Sequence, residues 1–375
     1  MRVLHIVTYV SSDGAFGGPM RVAFGQAEAL ARRGHEVTLV AGAPVPEPQE
    51  YVQAGYTVRL FPSRRLGRGR GFASLISPRM TWHLLRSMAR CDVAHIHLAR
   101  DLVTIPASVA IRMRRIPYVV QPHGMIDPSD KLLARVLDFA ATRPSLRRAS
   151  DVLVLTDREQ AEIAKVEPRA ATRSVPNGIR RTATRRIGKQ GNTVLFLARL
   201  HPRKRPRAFV EMAGVLRETL PDAQFIVAGP DEGEAVDVAR LIESLSLGDR
   251  VSCIGPVRPS DTDRLLREAR VFVLPSVDEV FPMTILEAFN VGTPVVTTDS
   301  LGLADLCNEY GAAIVTDGSV EGLASAVQEV VQDESVADRL CAGADRLLRE
   351  RLSIDAVAEL LEQRYRVAAS QKAVR

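Results

Sequence analysis

Aromatic residues make up only 5% of the 375-residue chain, and cysteines number four. The shortage of aromatics argues against a nucleic-acid-binding module, which stacks bases on rings interleaved among its arginines. The densest basic stretch, SRRLGRGRGF at 63–72, holds a single ring, Phe72. Cys91, Cys253, Cys307 and Cys341 are scattered, with no C-x-x-C pair, so neither a zinc knuckle nor a redox dithiol is signalled. Isolated thiols suit a reducing cytoplasm. No apolar run approaches the ~18 residues of a membrane span. The opening MRVLHIVTYV is cut off too soon by SSDG to read as a signal peptide. There is no G-x-G-x-x-G and no P-loop lysine. The single D-x-D, DTD at 261–263, opens a helical segment and reads as a cap, so no metal site is nominated.

Charge is present but unevenly spread. Residues 1–180 carry 26 Lys and Arg against 15 Asp and Glu; the remainder carries 24 against 29, for an overall charge of +6. A basic first half and an acidic second half imply different partners for each.

Short apolar runs alternate with helical periodicity throughout. RVLHIV (2–7), VTLV (37–40), TVRLF (57–61), VAHIH (93–97), PYVVQ (117–121) and VLVLT (152–156) read as buried strands. Amphipathic segments at 19–34, 73–90, 104–115 and 131–148 separate them. Residues 180–192 are polar and aperiodic, a linker. The alternation then restarts with TVLFLA (193–198), QFIVAG (224–229), VSCIG (251–255), VFVLPS (271–276), TPVVTT (293–298) and AAIVT (312–316), and a long helix closes the chain over 353–371. Strands separated by helices predict two doubly wound parallel α/β domains in tandem, with ligands at the carboxyl ends of the strands.

The loops at those ends carry the chemistry. SSDGAFGGPMRV (11–22) feeds Gly14, Gly17 and Gly18 into a helix, an anion site or simply a flexible turn. PHGM places His123 at a strand end. ARLHPRKRP (198–206) offers Arg199 and Lys204, a planar fork and a point charge suited to a diphosphate. In EVFPMTILEA (279–288), Pro282 reads as the first residue of a helix ending near Asn290, with Gly292 beyond it. The amides of Met283 and Thr284 would then offer anion binding. Glu279 lies before that helix and Glu287 on its second turn, placed to accept hydroxyl hydrogen bonds on either side of a diphosphate. A two-carboxylate glycosidase needs facing groups across one bond, which this spacing does not supply.

The set GGPMR, PHGM, VPNGI, ARLHPRK and EVFPMTILEA, in this order, resembles the retaining glycosyltransferases of family 4, over nearly the whole chain. PHGMIDP with TDREQAEI is similar to bacterial members that build exopolysaccharide, O-antigen or capsule. The resemblance implies a GT-B fold: two Rossmann-like domains facing across a cleft, with residues 1–182 plus 354–375 binding the acceptor and 183–353 binding the nucleotide sugar. It implies a UDP- or GDP-sugar donor, no cofactor or metal, and a saccharide or polyprenyl-diphosphate-linked acceptor. Gly17 and Gly18 would border the donor phosphates, and His123 would lie near the reacting sugar. Arg199 and Lys204 would neutralise the leaving diphosphate, Glu279 would hold the sugar and Glu287 the ribose. Phe281, Pro282, Met283 and Thr284 would line the donor site. Many members have glycine where this chain has Pro282. The expected location is cytoplasmic, peripheral on the inner face of the plasma membrane through arginines 64, 65, 68 and 70. The alternative is a sugar-nucleotide epimerase on the same plan, with Asp13 and Asp127 as its few first-half acids.

Overall fold

The computed structural model describes residues 1–10, 17–66, 74–86, 91–130, 132–181 and 191–373. Asp13, Gly14, Phe72, the arginines at 68 and 70 and most of the expected linker lie outside these residues. The chain divides into two compact units, Met1–Arg180 with Ile354–Arg375, and Arg181–Ser353.

In the first unit the strands are β1 (Arg2–Tyr9), β2 (Glu36–Ala43), β3 (Gln49–Gln53), β4 (Tyr56–Pro62), β5 (Arg64–Arg65), β6 (Leu75–Ile76), β7 (Val93–Ile96), β8 (Tyr118–Val120), β9 (Asp151–Val154) and β10 (Thr172–Ser174). The helices are α1 (Gly17–Arg32), α2 (Pro78–Arg86), α3 (Thr104–Met113), α4 (Leu132–Leu137), α5 (Arg143–Arg148) and α6 (Asp157–Val166). The main sheet runs β10-β9-β8-β7-β1-β2-β4-β3. It is parallel except where β3 pairs with β4. That hairpin was not expected. All five β3 residues are exposed, so no apolar alternation marks it. Its turn, Ala54–Gly55, has positive φ at both positions (46° and 84°), the geometry that matches the strand twist in a two-residue hairpin. The helix expected over 131–148 is broken by a π-turn at Asp138–Thr142, and Pro144 restarts α5.

The second unit has β11 (Thr193–Leu197), β12 (Gln224–Ala228), β13 (Val251–Gly255), β14 (Val271–Leu274), β15 (Val295–Thr298) and β16 (Ile314–Thr316). Its helices are α7 (Pro206–Val215), α8 (Ala235–Ser244), α9 (Pro259–Glu268), α10 (Met283–Asn290), α11 (Ala304–Tyr310), α12 (Val320–Gln332) and α13 (Glu334–Leu347). The sheet is parallel, in the order β13-β12-β11-β14-β15-β16. The order reverses direction beside the first strand, so the crevice-forming switch lies between β11 and β14. In the first unit the equivalent place lies between β1 and β7.

Strands buried on both faces explain the near-continuous apolar runs. In β1 and β7, Leu4, Ile6, Ala94 and Ile96 enter one core, while Val3, Val7 and Val93 enter the other. That second core is closed by α14 (Ile354–Ala373), which follows the second unit in sequence but belongs to the first. Ile354 N–H donates to Ile179 O at 2.9 Å. Gly178 is required there, since an added Cβ would lie 2.9 Å from Ile354 Cα. On α14, Glu362 accepts from Arg33 Nε at 2.7 Å and pairs with His35 Nε2 at 2.8 Å.

The Arg33 guanidinium hydrogen bonds, with His35 assisting, lower the Glu362 carboxyl to about 2. A depressed carboxyl contributes stability above its unfolded pKa and loses it as pH falls from about 4.5 toward about 2. Glu362→Gln is expected to lower stability at pH 7 by about 1 kcal/mol, discounted for partial exposure of Arg33. The deficit should shrink through pH 4 and 3 and vanish only below about pH 2, so it is expected to be much smaller at pH 2.5 than at pH 7. Denaturant melts at both pH values check this, and equal deficits at both would contradict it.

Candidate functional site

Three loops leave the carboxyl ends of neighbouring strands β12, β11 and β14. After β11, His201 caps a short 3₁₀ turn, Pro202–Lys204, by accepting from Arg203 N–H at 3.1 Å. The turn is tied to the β14 loop. Val277 N–H donates to Arg203 O at 2.8 Å, and the Arg203 guanidinium donates to Asp278 O. Asp278 itself has φ 55°, a strained value for a non-glycine residue. These ties bring Lys204 Nζ onto Glu279 Oε1 as an ion pair, with side chains 14% and 21% exposed. Burial pushes the Lys204 ammonium below its ordinary pKa, and Glu279 opposes that shift. The second carboxylate oxygen, Glu279 Oε2, is buried without a hydrogen-bond partner.

Arg199 pairs instead with Glu232 of the β12 loop, its Nη1 2.8 Å from both carboxylate oxygens. Arg199 is 54% exposed, so this pair is weak, of order 0–1 kcal/mol, and exchangeable. Gly229 lets the two loops meet: it has φ 144°, and an added Cβ would lie 1.8 Å from Ala198 O. Glu232 was not foreseen; the one sequence cue is its place just beyond that glycine.

Phe281 is buried, and Pro282 is the N-cap of α10, not its first residue as expected. Its φ of −76° suits proline, its ψ of 107° is extended, and its carbonyl accepts from Ile285 N–H at 3.2 Å. Met283 and Thr284 therefore open the helix, and their amides have no acceptor within it. Glu287 stands one turn beyond Met283 on the same face, half-buried. Gly292, with φ 71°, follows the helix end. The expected cap at 261–263 is corrected: Asp261 lies in the first turn of α9 and takes the Arg258 guanidinium at 2.8 Å instead of a backbone amide.

In the first unit, Gly17 opens α1, and an added Cβ at Gly18 would meet nothing within 4 Å. A crevice lined by Thr8, Pro19, Met20, His97 and Met125 lies beside that helix start. Asp101 joins the two strands flanking it: Thr8 Oγ1 donates to Asp101 at 2.6 Å, and Asp101 accepts from the amides of Val103 and Thr104 at the start of α3. His123 has φ 55°, and its loop is pinned from two sides. Glu159, buried, accepts from Gly124 N–H and from Leu155 N–H (2.6 Å), and burial raises its carboxyl pKa. Arg100 bridges Asp138 (2.9 Å) and Asp127 (2.9 Å), so Asp127 is engaged as an ion-pair partner. Glu159 is three residues beyond the α6 cap Thr156, a T-x-x-E spacing that signals a helix start but not this second task.

His97, just beyond β7, contacts His123: the two rings are stacked and their Nδ1 and Nε2 lie 2.7 Å apart. Behind it are His5 and His95, paired in register on β1 and β7, and the hydroxyl of Tyr365 on α14. Ligating atoms of His5, His95 and His97 lie within 4.8 Å of one another, the one such metal-capable group among the described residues. Their hydrogen bonds run from ring to ring and to Tyr365, not toward a common point. No described helix is long and apolar enough to cross a membrane.

Residues 17–178 match the family model for the glycosyl transferase 4-like domain, and 181–346 that for glycosyl transferases group 1. A 2-deoxystreptamine N-acetyl-D-glucosaminyltransferase of Niallia circulans is 32% identical over 161 residues, which is 43% of this chain and 41% of that one. The match thus spans about two fifths of that relative's length. A UDP-Gal:α-D-GlcNAc-diphosphoundecaprenol α-1,3-galactosyltransferase of Escherichia coli is 24% identical over 353 residues, 88% of each chain. The crystal structure of HepE from Anabaena in complex with UDP and glucose superposes with a TM-score of 0.73 at 18% identity, covering 96% of this chain and 98% of that one. The fold is therefore GT-B, two Rossmann-like domains.

Burial holds the four histidines neutral. His5 and His123 are lowered to about 3, and His95 and His97 fall well below the ordinary value, with neighbouring histidines adding to the effect. The unfolded chain therefore binds more protons below pH about 6.5. The stabilisation is complete above that pH and is lost as pH falls toward about 3. The melting temperature should drop between pH 7 and pH 5, each histidine contributing up to ~1.4 kcal/mol per pH unit. His95→Gln should fall less steeply; an unchanged slope would refute the assignment.

Proposed function

The chain belongs to glycosyltransferase family 4, and from that premise we propose that it is a retaining hexosyltransferase of cell-surface polysaccharide synthesis. It would take a UDP- or GDP-sugar as donor and a saccharide or polyprenyl-diphosphate-linked saccharide as acceptor. The observation that carries this reading is Glu279 Oε2, a buried carboxylate oxygen with no donor, beside Lys204 and just ahead of the opening turn of α10. Such an oxygen suits a sugar hydroxyl, and the neighbouring ammonium and helix amides suit the diphosphate next to it.

In the proposed reaction the bond between sugar C1 and the diphosphate oxygen breaks, and a bond from C1 to the acceptor oxygen forms on the same face. The acceptor proton passes to the departing phosphate. Lys204, Arg199 and the amides of Met283 and Thr284 stabilise the charge growing on the diphosphate, which is the largest kind of catalytic term. Arg199 leaves Glu232 to do so; Glu287 takes the ribose hydroxyls. Gly17 and Gly18 would border the donor phosphates, and His123 would lie near the reacting sugar. None of these steps calls on a metal. The Escherichia coli relative named for a diphosphoundecaprenol acceptor supports the lipid-linked reading.

The test is incubation with a panel of nucleotide sugars and saccharide acceptors, following nucleoside diphosphate with and without EDTA. Release is expected for one donor, unaffected by EDTA, and Lys204→Ala should lower kcat/KM by about 10²–10³. Epimer formation without diphosphate release would instead establish the epimerase. Arg64 and Arg65 on β5 are exposed, and we expect salt-sensitive binding to anionic vesicles through this region. Absence of binding at low salt would remove the membrane proposal.

A further inference from the structure

The helical run 132–148, made of α4, the π-turn at Asp138–Thr142 and α5, is built inside out. A helix on a globular surface normally turns its large apolar residues inward and its polar residues outward. Here Leu132 is 77% exposed, Val136 55% and Phe139 80%. They stand at i, i+4 and i+7, so they share one face. The inward side is small and polar instead: Asp138, Ala141 and Thr142 are buried, as is Ser145 in α5. Each polar group there has a partner. Asp138 takes the Arg100 guanidinium at 2.9 Å, Thr142 Oγ1 donates to Leu137 O at 3.4 Å, and Ser145 Oγ donates to Ala141 O at 2.8 Å. Rolling the helix to hide its apolar stripe would expose or strand these contacts, so the stripe stays outward.

The charge around the stripe has one sign. Residues 131–148 carry Lys131, Arg135, Arg143, Arg147 and Arg148 against a single acid, Asp138, which Arg100 already neutralises. Arg147 is paired with Glu167 at 2.7 Å. Arg135, Arg143 and Arg148 are exposed and make no ion pair among the described residues. An apolar stripe edged by unpaired guanidinium groups complements a surface that is apolar within and negative at its boundary, which is an anionic lipid bilayer. A second copy of the chain fits poorly. A standard protein interface takes ~800 Å² from each partner, more than three side chains supply. A two-fold contact through this face would also set the same arginines against one another.

We infer that Leu132, Val136 and Phe139 enter the headgroup boundary of an anionic membrane, with Arg135, Arg143 and Arg148 on the lipid phosphates. This contact is separate from the one expected at Arg64 and Arg65. The docking itself does not rest on the function proposed above; only its use does. The helix follows the His123 loop, and Arg100 ties Asp127 of that loop to Asp138. A docked helix therefore holds the loop near the surface that would carry a lipid-linked acceptor.

Co-sedimentation of the full chain with vesicles of phosphatidylglycerol and phosphatidylcholine, with no sugar present, tests the inference. Phe139→Ser and Val136→Ser alter exposed positions, so the melting temperature should hold. The partition coefficient should fall about tenfold for Phe139→Ser. Arg135→Gln and Arg143→Gln should each cost about fivefold, an effect absent on vesicles of phosphatidylcholine alone. Vesicle binding by Phe139→Ser equal to that of the unaltered chain would overturn the inference, whatever Arg64→Gln and Arg65→Gln do. So would a lipid-free dimer, seen by sedimentation equilibrium, that Phe139→Ser dissociates; the occupant would then be a second copy. Binding through the stripe by a chain that releases no nucleoside diphosphate would support the docking and refute the function. Transfer to a soluble saccharide without vesicle binding would do the reverse.

Discussion

Lys204 and Glu279 form a largely buried ion pair, in which burial pushes the ammonium below its ordinary pKa and Glu279 opposes that shift. Each ion offsets the desolvation cost of the other. That mutual dependence sets the rest of the second unit's strand-end region. It requires the 3₁₀ turn after β11 and the loop after β14 to be held in register, which Arg203 and Val277 accomplish. It also leaves one carboxylate oxygen, Glu279 Oε2, buried without a partner.

The first unit reaches a similar state by different means. Near the His123 loop its cation is engaged in a structural network, Arg100 with Asp127 and Asp138. Among its buried atoms without a partner is an imidazole nitrogen on a strained residue, His123, held by a buried carboxylate in front and by a line of rings behind. In both units the unsatisfied atom lies in a loop at the carboxyl end of the parallel sheet, where βα connections leave backbone and side chains free for ligands. His123 and Asp278, in loops at those strand ends, both hold positive φ, an uncommon conformation outside glycine.

Much of this was legible in the residues. Parallel strands buried on both faces produce continuous apolar runs, so TVLFLA, VFVLPS and their counterparts announced themselves. The turn chemistry around Pro282 and Gly292 placed α10 to within a residue. What was missed had no such signal. β3 buries nothing, and the π-turn that breaks the helix at Asp138 has no local sequence mark, its Asp138 being paired with Arg100, 38 residues earlier. Asp261 looked like a cap because short acidic residues usually are, but a flanking arginine took its carboxylate. The histidine cluster was not read from the sequence, since nothing local names Tyr365 as the partner of His95.

The sequence by itself determined the alternation of strand and helix, the two-part organisation and the residue types at the strand ends, because these follow from periodicity and from local turn geometry. Only the tertiary structure decided the pairings: Lys204 with Glu279, Arg199 with Glu232, Glu159 with the His123 loop, and Tyr365 with the histidines. The physical reason is separation along the chain. Hydrogen bonds and ion pairs between groups 33 to 360 residues apart exist only once the sheets have closed.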